Sequence, residues 1–539
     1  MTSGIDWSAA SYDDLCRRHR WTIPARCNIA RFACDRHAGS GKLALLDVDE
    51  RGEVTRYTFD QLADSSDRLA SVLAGFGVGQ GDRVAVFCPQ RVENPLAHLA
   101  AMKLGAISVP LSSLFRADAL AYRLGHSAAK VVITDGEHLE HLQPVLAALA
   151  LPPRVLTCEA LWALVRDADR AVAVDTAADD PAMLVYTSGT TGMPKGALHA
   201  HRFLPGRLSG FELVHRLESR PGKRLFWTPA DWAWVGGLVD CVLTPWWFGC
   251  PVAGWRRRGF EPAAVFDFIA RMGVRSLFLP PTAIRRMRTI DPPPPLALDS
   301  VHTAGEPLPP DTYAWATRAF GTVYELYGMT EMGATIGNSP WFAVRPGSMG
   351  KPFPGHDVRV LRDDGSEADP DETGEIAVRR GDPGMFLGYH DDPEATAARF
   401  RGDFLMTGDL AARDRDGYIV YRGRADDLIN TAGYRVGPTE IEQTLLAHPA
   451  VEHAAVVGVP DAERGEIVKA FVVVAPGFRA DAALHAELQQ HVKQRLAAYE
   501  YPRRIVFAAE LPMTPSGKLR RTELRAPDAD ARYGVRVET

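Results

Sequence analysis

The sequence predicts an α/β protein: a large multi-subdomain N-terminal domain of layered α/β sheets plus a small β-barrel, followed by a smaller α/β domain at the C-terminus. Three observations carry this. Between Gly81 and Thr134, short runs rich in Val and Ile alternate with helix-length stretches, the order of strand–helix–strand units. From Gly374 to Tyr421 the chain turns β-rich, with turn signals at Asp382-Pro-Gly, Gly408-Asp409 and Asp416-Gly417. Then Arg422 to Leu428, polar and charged, reads as a linker before a compact module. A chain of 539 residues is too long for a single core and suggests two to four domain-sized units; the linker puts a domain boundary near Asp426, dividing the chain into 1–425 and 426–539.

Taken in order, Phe59 to Phe76 carries apolar residues at 59, 62, 69, 72, 73 and 76, a helical period. Gly81 to Cys88 reads as a strand, Asn94 to Leu104 as a helix, Ala106 to Pro110 and Lys130 to Thr134 as further strands. Met183-Leu-Val185 is an apolar run that enters a Gly- and Thr-rich loop. Thr228 to Gly237, with Trp232, Trp234 and two glycines beside Asp231, reads as core packing, and Arg275 to Pro281 as a buried strand. Asp291 to Pro295, one acid and four prolines, is a rigid surface loop. In the C-terminal module Ala454 to Val459 and Lys469 to Ala475 are strands. Its main helix, Ala480 to Ala498, places Leu484, Leu488, Val492 and Leu496 at a spacing of four.

Composition excludes several classes. With 46% hydrophobic and 24% charged residues the chain is globular, not disordered or fibrous. A net charge of −6 gives no bulk electrostatic basis for nucleic-acid binding. The most apolar stretch, Cys241 to Trp255, is interrupted by Pro245, Gly249 and Pro251, so no membrane span is expected. The N-terminus has neither a basic nor an apolar signal region, and seven cysteines without a Cys-x-x-Cys pair fit a reducing compartment. A cytoplasmic location is the expectation.

The densest string is Tyr186 to Gly196, Tyr-Thr-Ser-Gly-Thr-Thr-Gly-Met-Pro-Lys-Gly. Glycines let a backbone approach an anion, N–H groups and hydroxyls donate to phosphate oxygens, and Lys195 adds a point charge. The P-loop spacing is not met, because Pro194 stands at its second glycine. Thr303-Ala-Gly-Glu-Pro307 is a tight turn at a strand end. Tyr324 to Gly333 combines a strand with Thr330 and Glu331 at its end, where polar groups of open α/β sheets meet ligands.

Together with Gly305-Glu-Pro307, Tyr327-Gly-Met-Thr-Glu331, Thr407-Gly-Asp-Leu410, Gly423-Arg-Ala-Asp-Asp427, Gly433-Tyr-Arg-Val-Gly-Pro438 and Pro515-Ser-Gly-Lys518, the loop follows the motif order of the adenylate-forming superfamily. The sequence resembles the acyl-CoA synthetases of that superfamily from about residue 30 onward. Gly423 to Glu440 and Pro346 to Pro352 look most like the medium-chain and acetyl-CoA synthetase branch. The resemblance implies ATP, Mg2+ and coenzyme A as co-substrates and cofactor, with a small carboxylic acid as the partner. It implies that Thr187, Ser188, Gly189, Thr190, Thr191 and Lys195 hold the β- and γ-phosphates. By the same resemblance Glu331 binds Mg2+ and Thr330 meets the α-phosphate. Gly305, Glu306 and Pro307 with Glu325, Leu326 and Tyr327 line the adenine, and Asp409 and Arg424 meet the ribose. Arg435 faces the phosphates, and Lys518 bridges carboxylate and α-phosphate. Asp426 is the implied hinge about which the small domain turns between half-reactions, and Gly433 belongs to the pantetheine tunnel. The implied catalytic set is Lys518, Glu331, Thr187 and Arg435.

Trp234, Val235, Gly236, Ala304 and Gly328 fall on the implied acyl-pocket positions. Acetate-specific relatives carry a tryptophan where Gly328 stands. Its absence, with the small Gly236, implies room for a medium-chain, branched or aromatic acid in preference to acetate. Met329 and Met406 depart from the polar residues often found beside these motifs. Two other readings stay open: transfer of the acyl group to a carrier-protein phosphopantetheine, and a non-catalytic nucleotide-binding regulator.

Overall fold

A computed structural model describes residues 4–171, 173–187, 193–217, 224–257, 259–431, 434–461, 464–496, 500–514 and 518–535. The chain divides into two compact units. Of the described residues, the larger comprises those up to 187, 193–358 and 378–405, and the smaller those at 359–377 and from 406 onward.

Two sheets organise the larger unit. One is seven-stranded, in the spatial order Gly388–Tyr389, Lys195–Ala200, Pro181–Thr187, Ile107–Pro110, Arg83–Phe87, Val131–Thr134 and Arg154–Thr157. Its five strands from Pro181–Thr187 to Arg154–Thr157 run parallel, and the two toward Gly388–Tyr389 are antiparallel additions. The other sheet is nine-stranded and runs from Lys351–Pro352 at one edge through Gly333–Gly337, Val323–Met329, Ser300–Ala304 and Ser276–Phe278 to Val54–Thr58 at the other.

The expected alternation is present. Phe59–Gly75 is an α-helix whose N-terminus is closed by a capping box between Thr58 and Gln61, and it buries Phe59, Leu62, Leu69 and Leu73. Glu93–Lys103 buries every residue, as a helix between two covered surfaces must. The Ser276–Phe278 strand is shorter than its apolar run, because Pro280 and Pro281 open the next helix. Trp227, Trp232, Trp246 and Trp247 are fully buried in the larger unit, so the Trp-rich segment from Thr228 supplies core at Trp232, as its composition implies. Each such side chain contributes about 2–3 kcal/mol of hydrophobic stabilisation.

Val358–Leu361, Thr373–Arg379, Phe404–Arg413 and Phe400–Arg401 form a further sheet, which Ile419–Arg424 extends. This is the β-rich region read from Gly374 to Tyr421. Beyond it, Val451–Asp461 and Gly465–Val474 make a long antiparallel pair that Arg504–Phe507 joins in parallel. The helix Ala482–Lys493, capped by Asp481, buries Leu484, Leu488 and Val492. Arg521 ties the smaller unit together by bonding Glu442 at 2.6 Å and Asp427 at 3.3 Å.

Candidate active site

The phosphate-loop string stands on the hairpin made by Pro181–Thr187 and Lys195–Ala200, in which Thr187 is the register partner of Lys195. Ser188, Gly189, Thr190 and Thr191 lie outside the described residues. The ends of the loop are fixed. Tyr186 is 3% exposed, its hydroxyl donates to the Arg123 carbonyl at 3.3 Å and meets His126 Nδ1 at 2.9 Å, and the Tyr122 hydroxyl donates to the Pro194 carbonyl at 2.9 Å. Burial keeps the Tyr186 phenol well above its usual range.

Lys195 is drawn to Glu331 through a residue that the motifs do not include. The short strand Gly388–Tyr389 pairs with Lys195–Ala200, placing Tyr389 opposite Ala197. The Tyr389 hydroxyl donates to Glu331 Oε1 at 2.6 Å, and the Lys195 ammonium sits 5.2 Å from the centre of the same ring. Asp392 lies 3.7 Å from Lys195 Nζ. Glu331 is 5% exposed, and its carbonyl accepts from the Phe386 N–H at 2.7 Å. Burial, with the Glu331 carboxylate next, raises the Tyr389 phenol well above its normal range, so it remains a hydrogen-bond donor to that carboxylate. One wall therefore combines a cation, a carboxylate and a tyrosine that orients both.

The segments assigned to adenine lie together. Ser300–Ala304 and Val323–Met329 are adjacent parallel strands with Ala304 beside Leu326 and Thr303 beside Glu325. Gly305 follows at φ +103°, a backbone region that favours glycine, and delivers Glu306 and Pro307. Glu306 is held by Arg285 at 2.9 Å. Glu325 Oε1 accepts from the Leu308 N–H at 3.3 Å, whereas Oε2 is buried without a hydrogen-bond partner. Burial pushes the Glu325 carboxyl up to about 7. Tyr327, Gly328 and Met329 complete the strand, and Thr330 and Glu331 follow it directly.

Among the acyl positions, Trp234, Val235 and Gly236 stand at the start of a continuous helix over 235–247. Here the structure corrects the sequence reading, which took two missing side chains for room. A Cβ on Gly236 would lie 2.7 Å from Phe278 Cε1, so this glycine accommodates a phenyl ring. A Cβ on Gly328 would collide with the Gly333 carbonyl and stand 2.6 Å from Ala334 Cα, on the adjoining strand. Both small residues are used by packing within the protein. Asp231, the acid of the Trp-rich segment, accepts from Ser112 Oγ at 2.7 Å and the Ala233 N–H at 3.0 Å, which makes it a joint between loops.

In the smaller unit Asp409 is 8% exposed, on the strand Phe404–Arg413, with Arg424 as its register partner and Arg424 Nη1 donating to Asp409 Oδ1 at 3.4 Å. The two residues assigned to ribose are thus brought together. Their turn is fixed by the Gly408 N–H donating to Glu375 at 2.7 Å and the Asp409 N–H donating to Thr407 Oγ1 at 3.1 Å. Arg435 lies on the strand Tyr434–Val436, Asp426 on the turn Ala425–Asp427, and Gly433 outside the described residues. Lys518 is exposed; its N–H donates to Thr514 Oγ1 at 2.9 Å and its carbonyl accepts from the Thr514 N–H at 2.7 Å, so its turn is closed from both sides.

Among the described residues no cluster of three or more His, Cys, Asp or Glu side chains could hold a metal ion. One buried carboxylate, Glu331, fits the way Mg2+ is bound alongside nucleotide phosphates, through one or two protein oxygens. Tyr389, Asp392 and Phe278 carry no local sequence signature; only tertiary contacts reveal them.

Known proteins resemble the chain over nearly its whole length. Residues 33–390 match the AMP-binding enzyme family and residues 440–518 its C-terminal domain. The chain is 35% identical to acetyl-coenzyme A synthetase of Bacillus subtilis, over 97% of this chain and 96% of that protein. It is 36% identical to the human mitochondrial acyl-coenzyme A synthetase ACSM4, over 96% and 93%. Among solved structures, a benzoate CoA ligase from Burkholderia xenovorans superposes with a TM-score of 0.82 at 28% identity, covering 93% of this chain and 100% of that one. The chain belongs to the AMP-binding enzyme family, among its acyl-CoA synthetases.

Proposed function

We propose that this protein activates a carboxylic acid with ATP and transfers the acyl group to coenzyme A, releasing AMP and pyrophosphate. The observation that carries the reading is the wall in which Lys195 and Glu331 converge on Tyr389. A carboxylate resists nucleophiles because its charge repels them and oxide does not leave. Attack of a carboxylate oxygen on the α-phosphorus forms an acyl-adenylate as the bond to pyrophosphate breaks. The thiol sulfur of coenzyme A then attacks the acyl carbon, AMP leaves, and the thiol proton passes to solvent. The protein's task is positioning and charge stabilisation.

In this reading Thr187 and Lys195, with Ser188 to Thr191, hold the departing phosphates, and Glu331 binds the magnesium ion that neutralises phosphate charge. Gly305 to Pro307 and Glu325 to Tyr327 receive the adenine, Thr330 the α-phosphate, and Asp409 and Arg424 the ribose. Lys518 and Arg435 offset the charge where two anions must meet. Asp426 serves as the hinge between domains 1–425 and 426–539, and Gly433 admits the pantetheine arm. Trp234, Val235, Gly236, Ala304 and Gly328 border the acyl group, with Phe278 added. All seven cysteines are free thiols, in keeping with a reducing compartment such as the cytoplasm. The test is a panel of carboxylic acids incubated with ATP, Mg2+ and coenzyme A. AMP, pyrophosphate and acyl-CoA should appear in equal amounts with at least one acid; absence of all three with every acid would reject the reading.

A further inference from the structure

Two arginines share one aromatic platform at the edge of the nine-stranded sheet where its parallel strands end. The Arg257 guanidinium carbon sits 5.2 Å from the centre of the Trp255 ring and 4.8 Å from that of Phe260. Arg286 lies 4.9 Å from the same Phe260 ring, and its Nη2 donates to the Phe260 carbonyl at 2.7 Å. The platform is anchored in the core, because Trp255 stacks on the buried Phe268 with ring centres 4.4 Å apart. Trp255 ends the strand Val252–Trp255, Phe268 belongs to the helix Pro262–Met272 and Arg286 to the helix Pro281–Met287, so three elements meet here.

The arginines around this platform are paired. Arg256 lies 3.7 Å from Asp47, Arg285 bonds Glu306 at 2.9 Å, and Arg288 bonds Asp311. Among the described residues, no carboxylate forms an ion pair with Arg257 or Arg286, and Arg257 makes no hydrogen bond. Glu261, next to Phe260, is exposed and joins neither. Arg286 is exposed, and none of the side-chain nitrogens of the half-buried Arg257 is covered, so both forks open on solvent. A stacking contact explains one guanidinium on Phe260 and gives no reason for a second of the same charge. Burial, and next the Arg286 charge, push the Arg257 guanidinium down to about 10, which leaves it a cation at neutral pH. An anion held by both arginines would cancel their repulsion.

Position says which anion. Val252–Trp255, Phe226–Trp227, Ser276–Phe278 and Ser300–Ala304 are successive parallel strands, so Trp255, Phe278 and Ala304 end on one edge. Ligands of open α/β sheets bind outside that carboxyl edge. Phe278 stands two strands from Trp255 and Ala304 three, roughly 10 and 15 Å by ordinary strand spacing. The platform is thus near the positions assigned to the acyl group, while the hairpin assigned to the ATP phosphates belongs to the other sheet. Coenzyme A meets this geometry: its thiol must reach the acyl carbon, and its pantetheine arm carries the phosphates at a distance from that thiol. Arginine suits phosphate because its planar fork can give parallel N–H bonds to neighbouring oxygens.

Resting on the acid-ligase reading above, we infer that Arg257 and Arg286 form a binding site for the phosphates of coenzyme A. The test follows thioester formation by the full-length enzyme with an acid accepted in the panel, varying coenzyme A, dephospho-coenzyme A and pantetheine in turn. Arg257→Gln and Arg286→Gln should each raise KM for coenzyme A by about tenfold or more, the scale of a lost hydrogen bond to a charged group. KM for ATP in pyrophosphate exchange, and KM for pantetheine, which has no phosphate, should stay within about twofold of the parent values. A rise shared by dephospho-coenzyme A assigns the arginines to the diphosphate, and a rise confined to coenzyme A assigns them to the 3′-phosphate; either supports the site. Arg286→Gln alters an exposed side chain, so it carries the test even where Arg257→Gln does not fold. An unchanged KM for coenzyme A in folded variants, or an equal rise for ATP or pantetheine, would overturn the inference while acid activation stands. Parent enzyme that makes no thioester with any acid of the panel would overturn the acid-ligase reading, and this inference with it.

Discussion

Tyr389 is the residue on which the proposed phosphate wall turns, because a single ring serves both Lys195 and Glu331. Tyr389→Phe keeps the ring under Lys195 and deletes the donor to Glu331 Oε1. Partners that orient a metal-binding carboxylate contribute about 10–100-fold to metal affinity or activity. The Mg2+ concentration for half-maximal ATP–pyrophosphate exchange should therefore rise by about tenfold; an unchanged Mg2+ titration would remove Tyr389 from the site. Glu325 makes a prediction about stability. Burial lifts its folded-state carboxyl to about 7 from 4.5, so between these values the folded protein binds more protons than the unfolded chain. The stability contributed by protonated Glu325 is complete below about pH 4.5 and is lost as pH rises through 7. Relative to Glu325→Gln, which stays neutral, the wild-type protein should lose about 1–3 kcal/mol between pH 5 and pH 8 in urea unfolding. Parallel curves for the two proteins would show that Glu325 titrates normally.

Elements with a repeating pattern were legible in the sequence, and those made by a single contact were not. The helix Phe59–Gly75 and the strand Arg83–Phe87 follow from hydrophobic spacing, and the motifs single out Asp409 and Arg424, which the structure pairs. The two-residue strand Gly388–Tyr389 has no period to detect and exists because Lys195–Ala200 offers it an edge. The 235–247 helix shows the same limit. Its π turn shifts the hydrogen-bond register without a distinctive residue, and the reason for Gly236 lies outside the helix, at Phe278 on the strand Ser276–Phe278. Gly236→Ala should force the Phe278 ring from its place and lower stability by about 1–3 kcal/mol, the usual cost of overpacking. Adding Phe278→Leu should restore most of it, since residues in contact do not act additively. Thermal unfolding of the two single variants and the double variant measures this coupling; additive losses would mean that the ring is not what excludes a side chain at 236.

At the scale of the whole molecule, the residues assigned to the two half-reactions separate by chemistry. Joining two anions, a carboxylate and an α-phosphate, requires a cation at the point of attack; a thiol meeting an acyl-adenylate has no such charge to overcome. Lys518 lies on an exposed turn closed by Thr514, and no acidic partner for its side chain occurs among the described residues. Lys518 is exposed, so its ammonium can meet a substrate anion. Lys518→Ala should reduce acid-dependent pyrophosphate release by about 100-fold or more, the scale of a lost electrostatic stabiliser of a transition state. Because the turn is held by backbone and Thr514 contacts, the variant should melt like the parent protein and still convert supplied acyl-adenylate and coenzyme A to acyl-CoA. Equal loss of both activities in a folded variant would show that Lys518 does not belong to the first half-reaction alone. The complementary substitution is Gly433→Trp, a bulky side chain at the position assigned to the pantetheine arm. It should leave pyrophosphate exchange in place and depress thioester formation, and a variant that makes acyl-CoA at the parent rate would remove Gly433 from that assignment.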